Sequence, residues 1–142
     1  MLTCAPMRRP SSPGHWCLAA CLALLGGGGC ARKVAAVACT VTYAGEARRL
    51  EFPATNQPYA VRAQDIAGRF RFKAIYLRDP WQTASINLYA YQQQPAGDLL
   101  LQEAKFVPPF GSAAGARYGF TGRQLLYSAN QRELEYWCEL PR

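Results

Sequence analysis

The residues of this chain whose types could do chemistry are few: some carboxylates, a short run of cations, six cysteines and one histidine. Histidine is the usual general base and the usual partner of a serine or cysteine nucleophile. The single histidine, His15, sits at the mouth of an apolar leader, outside the part expected to fold. Paired carboxylates alone suffice for glycoside hydrolysis. Glu133, Glu135 and Glu139 alternate along one segment and share a strand face, where a solvated edge is expected. Asp65, Asp79 and Asp98 lie close to Gly or Pro and have the setting of turn formers. The run Gly26–Gly29 follows the apolar leader rather than a strand, so it is no phosphate loop.

The best binding candidates are Arg69, Arg71 and Lys73. Alternation along one strand puts these three cations on one face about 6.5–7 Å apart. Such a stripe can meet phosphates or an acidic partner, and it also serves to keep a sheet edge from pairing. The adjacent Arg48 and Arg49 could add to it, although neighbouring strand residues point to opposite faces. Tyr89, Tyr91, Trp81 and Trp137 offer rings for stacking on sugars or peptides; packing in the core or between sheets is the use expected of them.

These residues need a scaffold, and the chain supplies a small one. It has 142 residues, one domain's worth. Sixteen Lys and Arg against nine Asp and Glu give +7. Taking Arg8 and Arg9 away with a leader leaves fourteen against nine, or +5. A basic balance suits anionic partners. Trp16 to Leu25 is a continuous apolar run, too short to span a membrane as a helix, preceded by Arg8 and Arg9 and followed by small residues. That is the pattern of a secretory signal peptide over residues 1–29. A start at Met7 would place the arginines at the N-terminus and give a leader of ordinary length. Export argues against nucleic acid as the partner.

The segment resembles bacterial lipoprotein leaders, in which small residues precede a cysteine that is lipidated and becomes the new N-terminus. Cys30 is the matching cysteine; where that class prefers Leu three positions earlier, this chain has Gly27. The resemblance implies a lipid anchor at Cys30. Ala31 in second place is not the aspartate-type inner-membrane signal, which favours the outer membrane, facing the periplasm. Cleavage nearby, for example after Ala31, would instead release a soluble periplasmic protein.

Cys4, Cys17 and Cys21 fall in the leader. Lipidation of Cys30, or cleavage just after it, leaves Cys39 and Cys138 as a pair in an oxidising compartment. Val37, Cys39, Val41 and Tyr43 alternate with Ala38, Thr40 and Thr42; Leu134, Tyr136, Cys138 and Leu140 alternate with Glu133, Glu135, Trp137 and Glu139. Both cysteines therefore point into a core, and a disulfide between them ties the first strand to the last. Two cysteines without a histidine are a poor metal-ligand set, so neither metal nor other cofactor is expected.

After a tether at 30–36, residues 37–142 read as a single β domain. Strands are expected at 37–43 and 47–52, joined at Ala44-Gly45-Glu46, with a loop around Pro53 and Pro58 and a short edge strand at 59–63. A break follows at 65–68. Further strands fall at 69–77, 83–92 and 99–107. A long Gly/Ala-rich connection at 110–122 leads to a last hairpin, 123–128 with 132–140. Seven or eight short strands with regular turns give an all-β fold, a small antiparallel β-sandwich with a small β-barrel as the alternative.

One stretch is similar to a known family. Ser112-Ala113-Ala114-Gly115-Ala116-Arg117-Tyr118 resembles the Ser-Ala-Ser-Gly-Ala-Arg-Tyr stretch of bacterial inhibitors of C-type lysozyme, which are also small, exported, β-rich and disulfide-closed. The family's second serine is Ala114 here, and its Phe-Trp-x-Lys-Gly segment is replaced by Leu125-Leu126-Tyr127-Ser128-Ala129. The serine and lysine that would block a lysozyme cleft are both missing. The function expected is thus a non-enzymatic envelope module that works by binding an envelope protein or an anionic surface component, with inhibition of a cell-wall hydrolase as the alternative.

Overall fold

The alternation in β1, Ala36–Tyr43, and β8, Glu133–Glu139, sends Val37, Cys39 and Val41 and Leu134, Tyr136 and Cys138 to the same inward face, with Cys39 opposite Cys138 and Val41 opposite Tyr136, all fully buried. The computed structural model describes residues 35–111, 117–130 and 132–140. The expected leader, Cys30 and Ser112–Ala116 lie outside the described residues. Among those described, eight strands form two four-stranded sheets, and no helix is long and apolar enough to cross a membrane. The first sheet has the order β2-β1-β8-β7, with β2 at Glu46–Pro53 and β7 at Gln124–Tyr127. The second has the order β3-β4-β5-β6, with β3 at Gln64–Ile66, β4 at Phe70–Leu77, β5 at Ser85–Gln92 and β6 at Leu99–Phe106. Every ladder between these strands is antiparallel. No described ladder joins β2 to β3 or β6 to β7, so the sheets stay separate: a sandwich, not a barrel.

The core lies between the sheets. Phe70, Phe72, Ala74 and Tyr76 of β4 and Ile86, Leu88 and Ala90 of β5 face Val37, Val41, Leu50, Phe52, Leu134 and Tyr136. Phe72 packs against Tyr136 at 4.9 Å between ring centroids and Phe52 at 6.3 Å, while Phe70 meets the edge of Tyr43 at 5.2 Å. The buried Tyr136 hydroxyl finds its partner across the sandwich, donating to Gln102 Oε1 of β6 at 2.6 Å. A buried hydroxyl without such a partner would carry its full desolvation cost.

Cys39 and Cys138 face each other directly in the β1–β8 ladder and are joined by a disulfide. Their sequence separation is 99, and closing a loop of about 100 residues removes roughly 4–5 kcal/mol of chain entropy from the unfolded state. The staple therefore holds neighbouring strands from opposite ends of the domain.

The β1–β2 hairpin turns at Ala44 and Gly45, both with positive φ (50° and 83°), as a two-residue loop demands. One expectation is corrected. Residues 59–63 do not form an edge strand: Pro58–Ala60 is a 3-10 turn, closed by Val61 N–H donating to the Pro58 carbonyl. The edge strand is the following segment, Gln64–Ile66, which pairs with Phe70–Phe72 and buries Ile66. Pro58 sets a helical φ without needing an amide partner, whereas the apolar Ile66 finds its place only once β4 offers a ladder.

Candidate functional site

In β4 the even-numbered side chains enter the core, so Arg71, Lys73, Ile75 and Leu77 lie on the outer side of the second sheet. The register sets Arg71 opposite Tyr91 and Lys73 opposite Tyr89 on β5. Both tyrosines are half-buried, their rings nearly parallel (12°) at 6.4 Å. Lys73 Nζ lies 4.9 Å from the Tyr89 ring centroid, a cation–π contact. Arg71 Nη1 pairs with Asp98 Oδ2 at 3.0 Å. Glu103 stands opposite Tyr89 on β6. Burial first, and then Glu103, push the Tyr89 hydroxyl above its ordinary pKa; burial, Glu103 and Asp98 do the same for Tyr91. Both hydroxyls therefore remain protonated hydrogen-bonding groups at neutral pH. The result is a solvent-facing patch of two cations, two phenols and two carboxylates in which Arg71 is already paired with Asp98 and Lys73 rests on the Tyr89 ring.

Arg69 lies one residue outside the strand itself. It precedes β4, exposed in the turn from β3, with its amide donating to the Ile66 carbonyl and its own carbonyl accepting from Gln93 N–H. Arg71 and Lys73 thus share the face, while Arg69 stands at its end. The Arg48–Arg49 pair splits as strand geometry requires. Arg49 lies on the outer side of the first sheet, 2.7 Å from Glu139 and 3.7 Å from Glu51. Arg48 reaches over the seam to donate to the Asp65 carbonyl at 2.9 Å.

The carboxylates of β8 do share a face, but on an interior strand rather than an edge. Arg123 grips Glu135 through two bonds, at 2.8 and 2.9 Å, and this contact holds the Glu135 carboxyl below its ordinary pKa. With Glu139 on Arg49, two of the three are partners of arginine. Asp65 accepts from Gly68 N–H and from the Gln93 amide, which lower its pKa. Asp79 accepts from Trp81 N–H. Both are turn formers; Asp98 instead serves Arg71 across 27 residues.

None of the four rings singled out in the sequence packs in the core. Tyr89 and Tyr91 stand on the outer side of the second sheet. Trp137 is half-buried on the outer side of the first, edge-on to Tyr118 at 5.4 Å. Trp81 is 92% exposed in the β4–β5 loop. Alternation alone could have placed Trp137 opposite Cys138. Of the stretch similar to the lysozyme inhibitors, Arg117 and Tyr118 are described, with the guanidinium 5.3 Å over the Tyr118 ring.

A position the sequence did not flag is Gly119. It bridges to Cys138 in parallel, at φ +56°, so close that a Cβ would lie 2.7 Å from the Cys138 carbonyl carbon. Phe120 N–H donates to the Cys138 carbonyl at 3.0 Å, and the Cys138 amide donates to Thr121 Oγ1 at 2.8 Å. This segment seals the backbone of the disulfide strand. Among the described residues, no three His, Cys, Asp or Glu side chains converge as a metal site.

No family model matches the chain, and comparisons with curated proteins and with solved structures return no match.

Proposed function

We propose that this protein is a non-enzymatic binding module of the cell envelope, exported and then held by a lipid at Cys30 or left soluble in the periplasm. Its binding surface is the outer side of β4 and β5, and its partner is an anionic component of the envelope or an envelope protein presenting acidic groups. The observation that carries this reading is the pairing of Arg71 and Lys73 with Tyr91 and Tyr89 on one solvent-facing sheet surface. The phenols supply hydrogen bonds and the cations supply charge. An incoming anion exchanges with Asp98 at Arg71, so affinity is modest and sensitive to salt.

The test is binding of the purified protein to vesicles rich in phosphatidylglycerol, compared with neutral vesicles. The triple reversal Arg69→Glu, Arg71→Glu, Lys73→Glu should leave the far-UV circular dichroism unchanged and weaken binding by more than about tenfold, since each cation near an anionic surface is worth about 1 kcal/mol. Equal binding by the triple variant would remove the surface from the argument. Intact mass before and after reduction, read alongside, reports acylation at Cys30.

A further inference from the structure

β6 is an eight-residue strand at the edge of its sheet, and no described strand pairs with its outer side. Which of its backbone groups point outward follows from the ladder. The Tyr76 carbonyl and the Arg78 amide both bond Thr55, on the side of β4 away from β5. The odd residues of β4 therefore bond β5, and Gln93 N–H on the Arg69 carbonyl agrees. Ile86, Leu88 and Ala90 of β5 then bond Phe106, Ala104 and Gln102 of β6. The N–H and C=O groups of Glu103 and Lys105 are left pointing off the sheet. Their side chains are exposed, and neither takes part in an ion pair among the described residues. Apolar side chains flank them: Leu99 and Leu100 are each 46% exposed and Val107 is 54% exposed.

We propose that β6 pairs antiparallel with β6 of a second copy of this chain, about a two-fold axis at Ala104. In that register Glu103 faces Lys105 of the second copy and Lys105 faces its Glu103. Both pairs are bonded pairs, so the free backbone groups are satisfied by the same register that matches the charges. The two neighbouring registers fail: centring on Glu103 sets Glu against Glu, and centring on Lys105 sets Lys against Lys. The Ala104 axis also brings Val107 of each copy to the Leu100–Leu101 step of the other, covering apolar surface at both ends. The other long edge, β2, is a poorer candidate. Its outward Arg49 is already committed to Glu139 and Glu51, and its exposed residues include no large apolar side chain. The dimer joins two four-stranded sheets into one continuous sheet, which also protects an edge that would otherwise recruit other chains.

Sedimentation velocity of the full protein, as purified from its expression host, tests this across a series from micromolar to submillimolar concentration. The unaltered protein should show a monomer–dimer equilibrium. Glu103→Lys and Lys105→Glu, each alone, turn both symmetric pairs into like-charge pairs and should weaken the dimer by about tenfold or more. The double variant Glu103→Lys/Lys105→Glu should recover it, and so should an equimolar mixture of the two single variants, whose heterodimer has complementary charges at both pairs. Recovery in the mixture excludes misfolding of a single variant as the cause of its loss. A monomer at every concentration would overturn the proposal. So would a dimer indifferent to the single reversals, or one lost on Arg49→Glu, which would place the contact on β2.

Discussion

The tight approach of Gly119 to the disulfide strand makes Gly119→Ala a sharp test of how the last strand is held. Gly119 has φ +56°, and an added Cβ would overlap the Cys138 carbonyl oxygen, 2.7 Å from its carbon and 3.0 Å from Glu139 Cα. A non-glycine residue in the left-handed region costs about 1–2 kcal/mol. The overlap is with backbone in the disulfide strand, so it is relieved only by moving residues 119–121 away from β8. That movement breaks the Phe120 bond to the Cys138 carbonyl and the Thr121 bond to the Cys138 amide. Each is worth about 1 kcal/mol, and a buried amide left unpaired adds about 1–3 kcal/mol. The expected loss is therefore about 4–7 kcal/mol, a large share of the roughly 5–15 kcal/mol that holds a typical domain. Gly122 is the internal control. Its φ is +67° with nothing within 4 Å of a built Cβ, so Gly122→Ala should lose only about 1–2 kcal/mol. Urea unfolding followed by tryptophan fluorescence measures both, with the thermal midpoint as a second readout, at about 4–8 °C per kcal/mol for a domain of this size. If Gly119→Ala fell within about 1 kcal/mol of Gly122→Ala, the claimed contact with β8 would be refuted.

Two further outcomes follow from the core. Replacing both cysteines, Cys39→Ala with Cys138→Ala, should lower stability by about 4–5 kcal/mol through the freed unfolded chain; a loss under about 1 kcal/mol in urea unfolding would show that the β1–β8 ladder alone closes the domain. Burial pushes the Tyr136 hydroxyl from an ordinary 10.0 up to about 12. Raised in the folded state, this group leaves stability intact below pH 10 and withdraws it as pH rises through about 12, by roughly 3 kcal/mol in all. Tyr136→Phe should flatten that alkaline decline and, by stranding Gln102, cost about 1–2 kcal/mol at neutral pH. An unchanged alkaline slope in the variant would assign the decline to other tyrosines.

Much of this architecture could be read from the chain because the signals are local. Alternation in β1, β4 and β8 reports which side chains face inward, since successive residues of a strand point to opposite faces. Ala44-Gly45 marks its hairpin because the turn needs positive φ there. Counting cysteines isolates Cys39 and Cys138 once the expected leader and Cys30 are set aside. The face of Arg71 and Lys73 came from the same period of two, which does not say where a strand begins: Arg69 falls just before β4.

The tertiary structure decided what depends on residues far apart in sequence. Arg71 meets Asp98, Lys73 lies over Tyr89, Arg49 reaches Glu139 and Tyr136 bonds Gln102 only because the ladders and the sheet packing bring them together. No local pattern encodes those partners, so a cationic stripe in the sequence becomes a patch whose charges are partly matched. Gln64–Ile66 becomes a strand because β4 supplies bonding partners, and Gly119 becomes indispensable because Cys138 stands against it. Strand faces are dictated by covalent geometry one residue at a time. Strand partners are dictated by which edges meet when the core closes, and that was determined by the fold as a whole.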